Sequence, residues 1–139
     1  MYMALLAVIY GFASAAYWRC ADNSKRLQQN AAEILQAVEA GELWRGDVRL
    51  AQTATTNGDL LTLAQPGDTV EYRFDKECIW RHSARLQRTV CVLRNVGASR
   101  MGEERRATVG AWKWELELQS PKKPPFLRPL FTFEAVAVK

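Results

Sequence analysis

The side chains with the widest chemical repertoire in this chain are three cysteines, Cys20, Cys78 and Cys91, and a single histidine, His82. Neither Cys-x-x-Cys nor paired His spacing occurs, so a tetrahedral zinc site would need nearly all four residues to converge from distant positions. His82 has no nucleophile or carboxylate partner by motif and falls near an expected turn, where a solvated imidazole is the simplest reading. Serine elbows, Gly-rich phosphate loops and metal-binding helix pairs are absent from the sequence. Gly102-Glu103-Glu104-Arg105-Arg106 reads as a solvated charged loop. No residue set therefore predicts catalysis, and no cofactor is expected.

The cysteines carry one further expectation. A hairpin turn centred on Ala84 and Arg85 would place Cys78 directly opposite Cys91 on antiparallel strands. Such a pair can approach closely enough for a disulfide in an oxidising compartment. The alternative is two reduced cysteines that pack as small hydrophobes. Cys20 does not read as a lipid-modified cysteine, because bulky and charged Tyr17-Trp18-Arg19 precedes it. Trp44, Trp80, Trp112 and Trp114 could stack on single-stranded nucleic acid. Trp112 and Trp114, however, share a strand face with Leu116 and Leu118 and are expected to be core, so no nucleic-acid partner is expected.

The elements that would position these residues differ sharply along the chain. Residues 1–18 read MYMALLAVIYGFASAAYW, without a charge, close to the shortest apolar run that spans a bilayer as a helix. The candidate membrane or assembly residues are Leu5, Leu6, Val8, Ile9 and Phe12. Beyond Arg19–Arg26, apolar residues recur at Leu27, Ala31, Ile34, Leu35 and Val38, then at Trp44, Val48 and Ala51. These steps of three and four define a helix face. One helix is expected over 1–52, with Gly41 and Gly46 weakening it by roughly 1 kcal/mol each.

From residue 53 the period changes to two. Thr53–Asp59 reads as a loop with an Asn-Gly turn, Leu60–Ala64 as a strand and Pro66-Gly67-Asp68 as a turn. Thr69–Phe74 alternates, with Val70, Tyr72 and Phe74 on one face. Glu77–Arg81 and Gln87–Val96 read as hairpin arms, and Gly97–Arg106 as a polar loop. Trp112–Leu118 is the clearest strand, Ser120–Pro125 a proline- and lysine-rich connection, and Pro129–Lys139 a closing strand. The expected fold class is α+β: a long N-terminal helix (1–52) packed on an antiparallel sheet of about six strands (53–139).

Composition agrees with a single folded domain. The chain has 139 residues, 48% of them hydrophobic, which excludes a largely disordered chain. A net charge of +4, scattered along the sequence, fits an ordinary, slightly basic surface.

This layout resembles the type IV pilin and type II secretion pseudopilin superfamily. The resemblance rests on residues 1–52 as the helix and 60–138 as the sheet. Asn30-Ala31-Ala32-Glu33-Ile34-Leu35 and Gly41-Glu42-Leu43-Trp44-Arg45-Gly46-Asp47-Val48-Arg49 look like the helix end of minor, J-like pseudopilins. It implies a structural filament subunit with other pilin-like subunits as partners through the N-terminal helix, and secreted cargo as a further partner. It also implies storage in the bacterial inner membrane with the β domain in the periplasm. The sequence departs from the family at its start: Gly11-Phe12 is followed by Ala13-Ser14-Ala15-Ala16, not by the Gly-Phe-Thr-Leu-x-Glu pattern, so a leader-processing site is not expected in it. Arg19, Lys25 and Arg26 favour a cytoplasmic C-terminal side on charge alone, opposite to what the resemblance implies. The alternative is a secreted or periplasmic binding domain whose signal is cleaved after Ala15.

Overall fold

The computed structural model of the protein describes residues 2–106, 109–119 and 129–137, so the expected connection Ser120–Pro125 lies outside the described residues. Helix α1 spans Tyr2–Leu50. Eight strands follow: β1 Thr53–Asn57, β2 Leu60–Gln65, β3 Asp68–Asp75, β4 Cys78–Ser83, β5 Arg88–Leu93, β6 Val96–Arg106, β7 Val109–Leu118 and β8 Leu130–Val136. The chain divides into two compact units, Met1–Leu35 and Gln36–Lys139.

The second unit is α+β. Its strands form two antiparallel sheets rather than one of about six strands: a five-stranded meander β1-β2-β3-β4-β5 and a three-stranded meander β6-β7-β8. Short turns set the first. Leu60 pairs with Asn57 across Gly58-Asp59, where Gly58 has φ 61°. Gln65 pairs with Asp68 across Pro66-Gly67, where proline fixes the first corner and Gly67 takes φ 80° at the second. Both turns fall where the sequence expects them.

Two segments expected to be loops are strands. Thr53–Asn57 pairs along its whole length with β2, and Val96–Arg106 pairs with β7 from Val96↔Leu118 to Arg106↔Val109. Neither has an apolar alternation of its own: β1 is an exposed edge of threonines, and β6 carries glycines and charges. Ladder hydrogen bonds to a strongly patterned neighbour supply what their side chains do not signal.

The core lies where the end of α1 meets both sheets. Ala37, Ala40, Trp44 and Val48 are buried with Leu61, Leu63, Val70, Tyr72, Ile79, Trp114, Leu116 and Phe133. Trp112–Leu118 alternates as expected, with its tryptophans and leucines inward and Lys113, Glu115 and Glu117 half-exposed. The buried helix stripe differs from the expected one. It runs through small residues and Trp44, while Leu35 and Val38 remain 59% and 39% exposed. Gly41 shows why: a Cβ there would lie 2.1 Å from the Phe133 ring. The helix backbone at Gly41 approaches β8 too closely for a larger residue, so Gly41 forms a notch that Phe133 fills. Gly41 thus serves packing, and α1 continues through it. Beside the notch, Trp44, Trp114 and Phe133 form a chain of tilted rings with centroids 5.8 and 5.4 Å apart, and the Arg45 guanidinium lies 5.4 Å over Phe133.

Candidate functional site

Two features stand out from the residues upward: the surface of α1 before Leu35, and a polar cluster within the second unit.

The first 35 residues are helical from Tyr2, with a run of alanine, leucine and other residues free of proline. Their large apolar side chains are uncovered. Leu6, Val8, Ile9, Tyr10 and Phe12 are 61%, 56%, 55%, 79% and 74% exposed. At about 100° per residue these five positions cover an arc of about 200°, and the small residues Ala7, Gly11 and Ala15 fall in the remainder. Tyr17 and Trp18 follow, edge to face at 6.2 Å, both exposed. Leu27, Ile34 and Leu35 then make an exposed stripe at steps of seven and one, among polar neighbours. A helix apolar all round is one that other apolar surface normally surrounds. Leu5 lies in the same helix, with its side chain outside the described ones. Among the described residues, no helix is long and apolar enough to cross a membrane. That finding stands against the expectation that residues 1–18 span a bilayer.

In the second unit a carboxylate sits on the buried helix stripe. Asp47, three residues beyond Trp44, is 6% exposed. Its Oδ2 accepts hydrogen bonds from the Tyr72 hydroxyl at 2.5 Å and Arg81 Nε at 2.7 Å. Its Oδ1 accepts from Arg81 Nη2 at 3.0 Å and Gln65 Nε2 at 3.3 Å, and Gln65 also reaches the Asp47 carbonyl at 3.0 Å. The forked Arg81 contact satisfies both oxygens, which makes the buried charge tolerable. Burial and the adjoining carboxylate push the Tyr72 phenol far above its ordinary range. The hydrogen bonds to Asp47 raise Arg81 further, so it stays charged. The cluster ties the helix end to β2, β3 and β4. Each Asp47 oxygen accepts from two donors, which fixes the carboxylate in place. The sequence reading missed it, although a signal was present: an aspartate on an apolar helix face requires inward-facing donors, and Tyr72 and Arg81 occupy inward positions of paired strands.

The residues with catalytic repertoire do not converge. His82 Nδ1 is 2.8 Å from Thr89 Oγ1 on the outer face of β4 and β5, and no group of three or more His, Cys, Asp or Glu suited to a metal occurs among the described residues. Trp44, Trp112 and Trp114 are core, so they offer no stacking platform. A depression of about 270 Å³ on the outer face of β6 and β7 is lined by Arg100, Gly102, Glu103, Glu104, Lys113 and Glu115. Lys113 Nζ and Glu115 Oε1 lie 2.7 Å apart there. Their hydrogen bond raises the lysine pKa and lowers that of the glutamate, so both stay charged.

The cysteines lie elsewhere than the expected register puts them. Cys91 pairs with Trp80, and Cys78 with Asp75 on β3; the β4–β5 turn is centred one residue later than expected. Both are free, half-buried thiols, and Cys20 is an exposed one.

Comparison of the chain with protein-family models, curated proteins and solved structures gives no match.

Proposed function

We propose that this chain is a structural subunit, not an enzyme, that assembles with other subunits through the helix before Leu35, in the manner of minor pilin-like or pseudopilin proteins. The exposure of Leu6, Ile9 and Phe12, which share one side of that helix, carries the proposal. Packing each against neighbouring helices would remove apolar surface from water at about 25 cal/mol per Å², and Ala7, Gly11, Ala13, Ala15 and Ala16 would let helix backbones approach closely. The α+β unit from Gln36 onward, with its own core, would then be the part displayed to other subunits or to secreted cargo. The resemblance adds a location, the inner membrane of a bacterium with the β domain in the periplasm, which belongs to the same proposal.

The division of the chain after Leu35 favours one other reading, a secreted or periplasmic binding domain freed of its first residues by cleavage after Ala15. A single experiment separates the two. The full chain and its Leu6→Glu and Ile9→Glu variants are compared by sedimentation and by crosslinking in cells, with the native N-terminus read by intact mass. Assembly of the wild type, lost in both variants while the β-sheet circular dichroism is kept, supports the filament reading. Variants that assemble like the wild type, or a monomer beginning at Ala16, overturn it.

A further inference from the structure

Counting in sevens along α1 from Leu6 meets Ala13, Cys20, Leu27 and Ile34. Counting in sevens from Tyr10 meets Tyr17, Ser24 and Ala31. The two series interleave at steps of four and three within the unbroken helix, and every member is exposed. Ser24 is the one member that is neither apolar nor aromatic. A repeat of seven lags the 3.6-residue turn by about 20° each time, so this seam winds around the helix like the contact line of a left-handed coiled coil. Charge follows the same repeat. Between Leu6 and Ile34 the charged residues are Arg19, Asp22, Lys25, Arg26 and Glu33. None stands on the seam. None stands on the two positions that flank a coiled-coil contact, which are the residue after each member of the Leu6 series and the residue before each member of the Tyr10 series. All five lie on the three repeat positions turned away.

We propose that this helix pairs with a second copy of this chain, parallel and in register, along the seam from Leu6 to Ile34. The inference rests on the assembly reading above and names its partner. The seam runs for four repeats, about 43 Å of helix, a length over which a sustained heptad pattern specifies a coiled coil. Charges on the flanking positions are what select a different chain in such a contact. Here the flanks hold none, so two copies meet without like charges between them. Ser24 and the charge-free stretch set the direction. In a parallel pair Ser24 lies against Ser24 of the second copy, hydroxyl to hydroxyl, and residues 6–18 lie against residues 6–18. An antiparallel pair of the same overlap would set Ser24 beside Ala16 and Tyr17 and lay the charge-free stretch along the partner's polar one.

The test measures association of the purified full chain by sedimentation equilibrium and maps its disulfides after mild oxidation. The expected result is a dimer in which Cys20 is joined to Cys20. Leu27→Glu puts a charge on both sides of the seam and should weaken the dimer roughly a hundredfold or more. Gln29→Glu, on the face turned away, should leave it within about twofold. In a Cys20→Ser background, Ala13→Cys and Leu27→Cys should each join to itself. Three results overturn the in-register pair and leave the assembly reading standing: Ala13→Cys chains that join only to Leu27→Cys chains, Leu27→Glu and Gln29→Glu associating alike, or larger assemblies without a Cys20–Cys20 link. A wild type that sediments as a monomer overturns both.

Discussion

Residues 6–35 and residues 37–48 belong to one helix, yet they treat apolar side chains in opposite ways. In the first stretch the large ones are in water: Phe12 is 74% exposed and Trp18 67%. In the second the buried ones are mostly small, Ala37 and Ala40 together with Gly41, which lies against the Phe133 ring, and Trp44 is the one large side chain at 0% exposure. The difference shows that size and hydrophobicity alone do not say what a helix residue packs on. Where the sheets approach closely, the helix surface must be small enough to admit them, while bulky residues elsewhere on it stay exposed. Stability should therefore be concentrated in 37–48 and, on the proposed function, assembly in 6–35.

Trp44→Ala tests this most severely. It would empty the space between Trp114 and the helix and should cost about 3–5 kcal/mol in a denaturant melt of the full chain. Phe12→Ser removes an equally apolar ring from the other stretch and should change the same melt by no more than about 0.5 kcal/mol. Equal losses at the two positions would break the comparison. The indole Nε1 of Trp44 has no hydrogen-bond partner among the described residues, so Trp44→Phe should be far milder than Trp44→Ala in the same measurement.

Next in size is Asp47→Ala. It strands the Arg81 guanidinium, 23% exposed, and the buried Tyr72 hydroxyl without their acceptor. A loss of about 3 kcal/mol is expected, because an unpaired buried charge costs more than the pair contributes. Asp47→Ala with Arg81→Met should recover a large part of it, a double-mutant coupling measurable by the same melts. If the two losses simply add, the cluster does not hold the helix end in place.

Gly41→Ala sets propensity against packing within one residue. In a free helix the change gains about 1 kcal/mol. Here the added methyl meets the Phe133 ring, and overpacking of that kind costs about 1–3 kcal/mol. The expected outcome is a net loss, with Gly41→Ala/Phe133→Leu restoring part of it. A stabilised Gly41→Ala would show that the close approach at 37–41 is not what keeps the small residues small.

Much of the architecture was legible because its signals are local. The helix, the Asn57-Gly58 and Pro66-Gly67 turns, and the strict alternation of Trp112–Leu118 each follow from a few neighbouring residues. β1 and β6 were not legible, because threonines, glycines and charges become strands only when a patterned neighbour offers a ladder. The same limit hid the notch. Gly41 reads as a helix weakener until Phe133, ninety-two positions later, lies against it. A turn centred on Ala84 and Arg85 would pair Cys78 with Cys91, but the ladder sets Cys91 opposite Trp80, two residues from that partner. Asp47 needed two strands in place before its partners could be seen.

The smallest effect concerns acid, and it sharpens the comparison by assigning acid sensitivity to the β unit. Asp68, at the β2–β3 turn, accepts hydrogen bonds from the Ser83 hydroxyl at 2.6 Å and from the Arg85 and Thr69 amides at 2.8 and 2.7 Å. These, the Ser83 bond foremost, hold its carboxyl below its ordinary value of 3.8. A carboxyl lowered on folding adds stability that is present above its unfolded pKa and disappears as pH falls through the folded one. The wild-type melting midpoint should therefore drop as pH goes from about 5 toward about 2, and Asp68→Asn should flatten that drop while lowering the midpoint slightly at neutral pH. Phe12→Ser, in the exposed stretch of the helix, should leave the acid profile of the wild type unchanged. An acid profile that Asp68→Asn does not alter would mean that the turn contributes nothing to the pH dependence, and that the protons which unfold the β unit are taken up elsewhere in it.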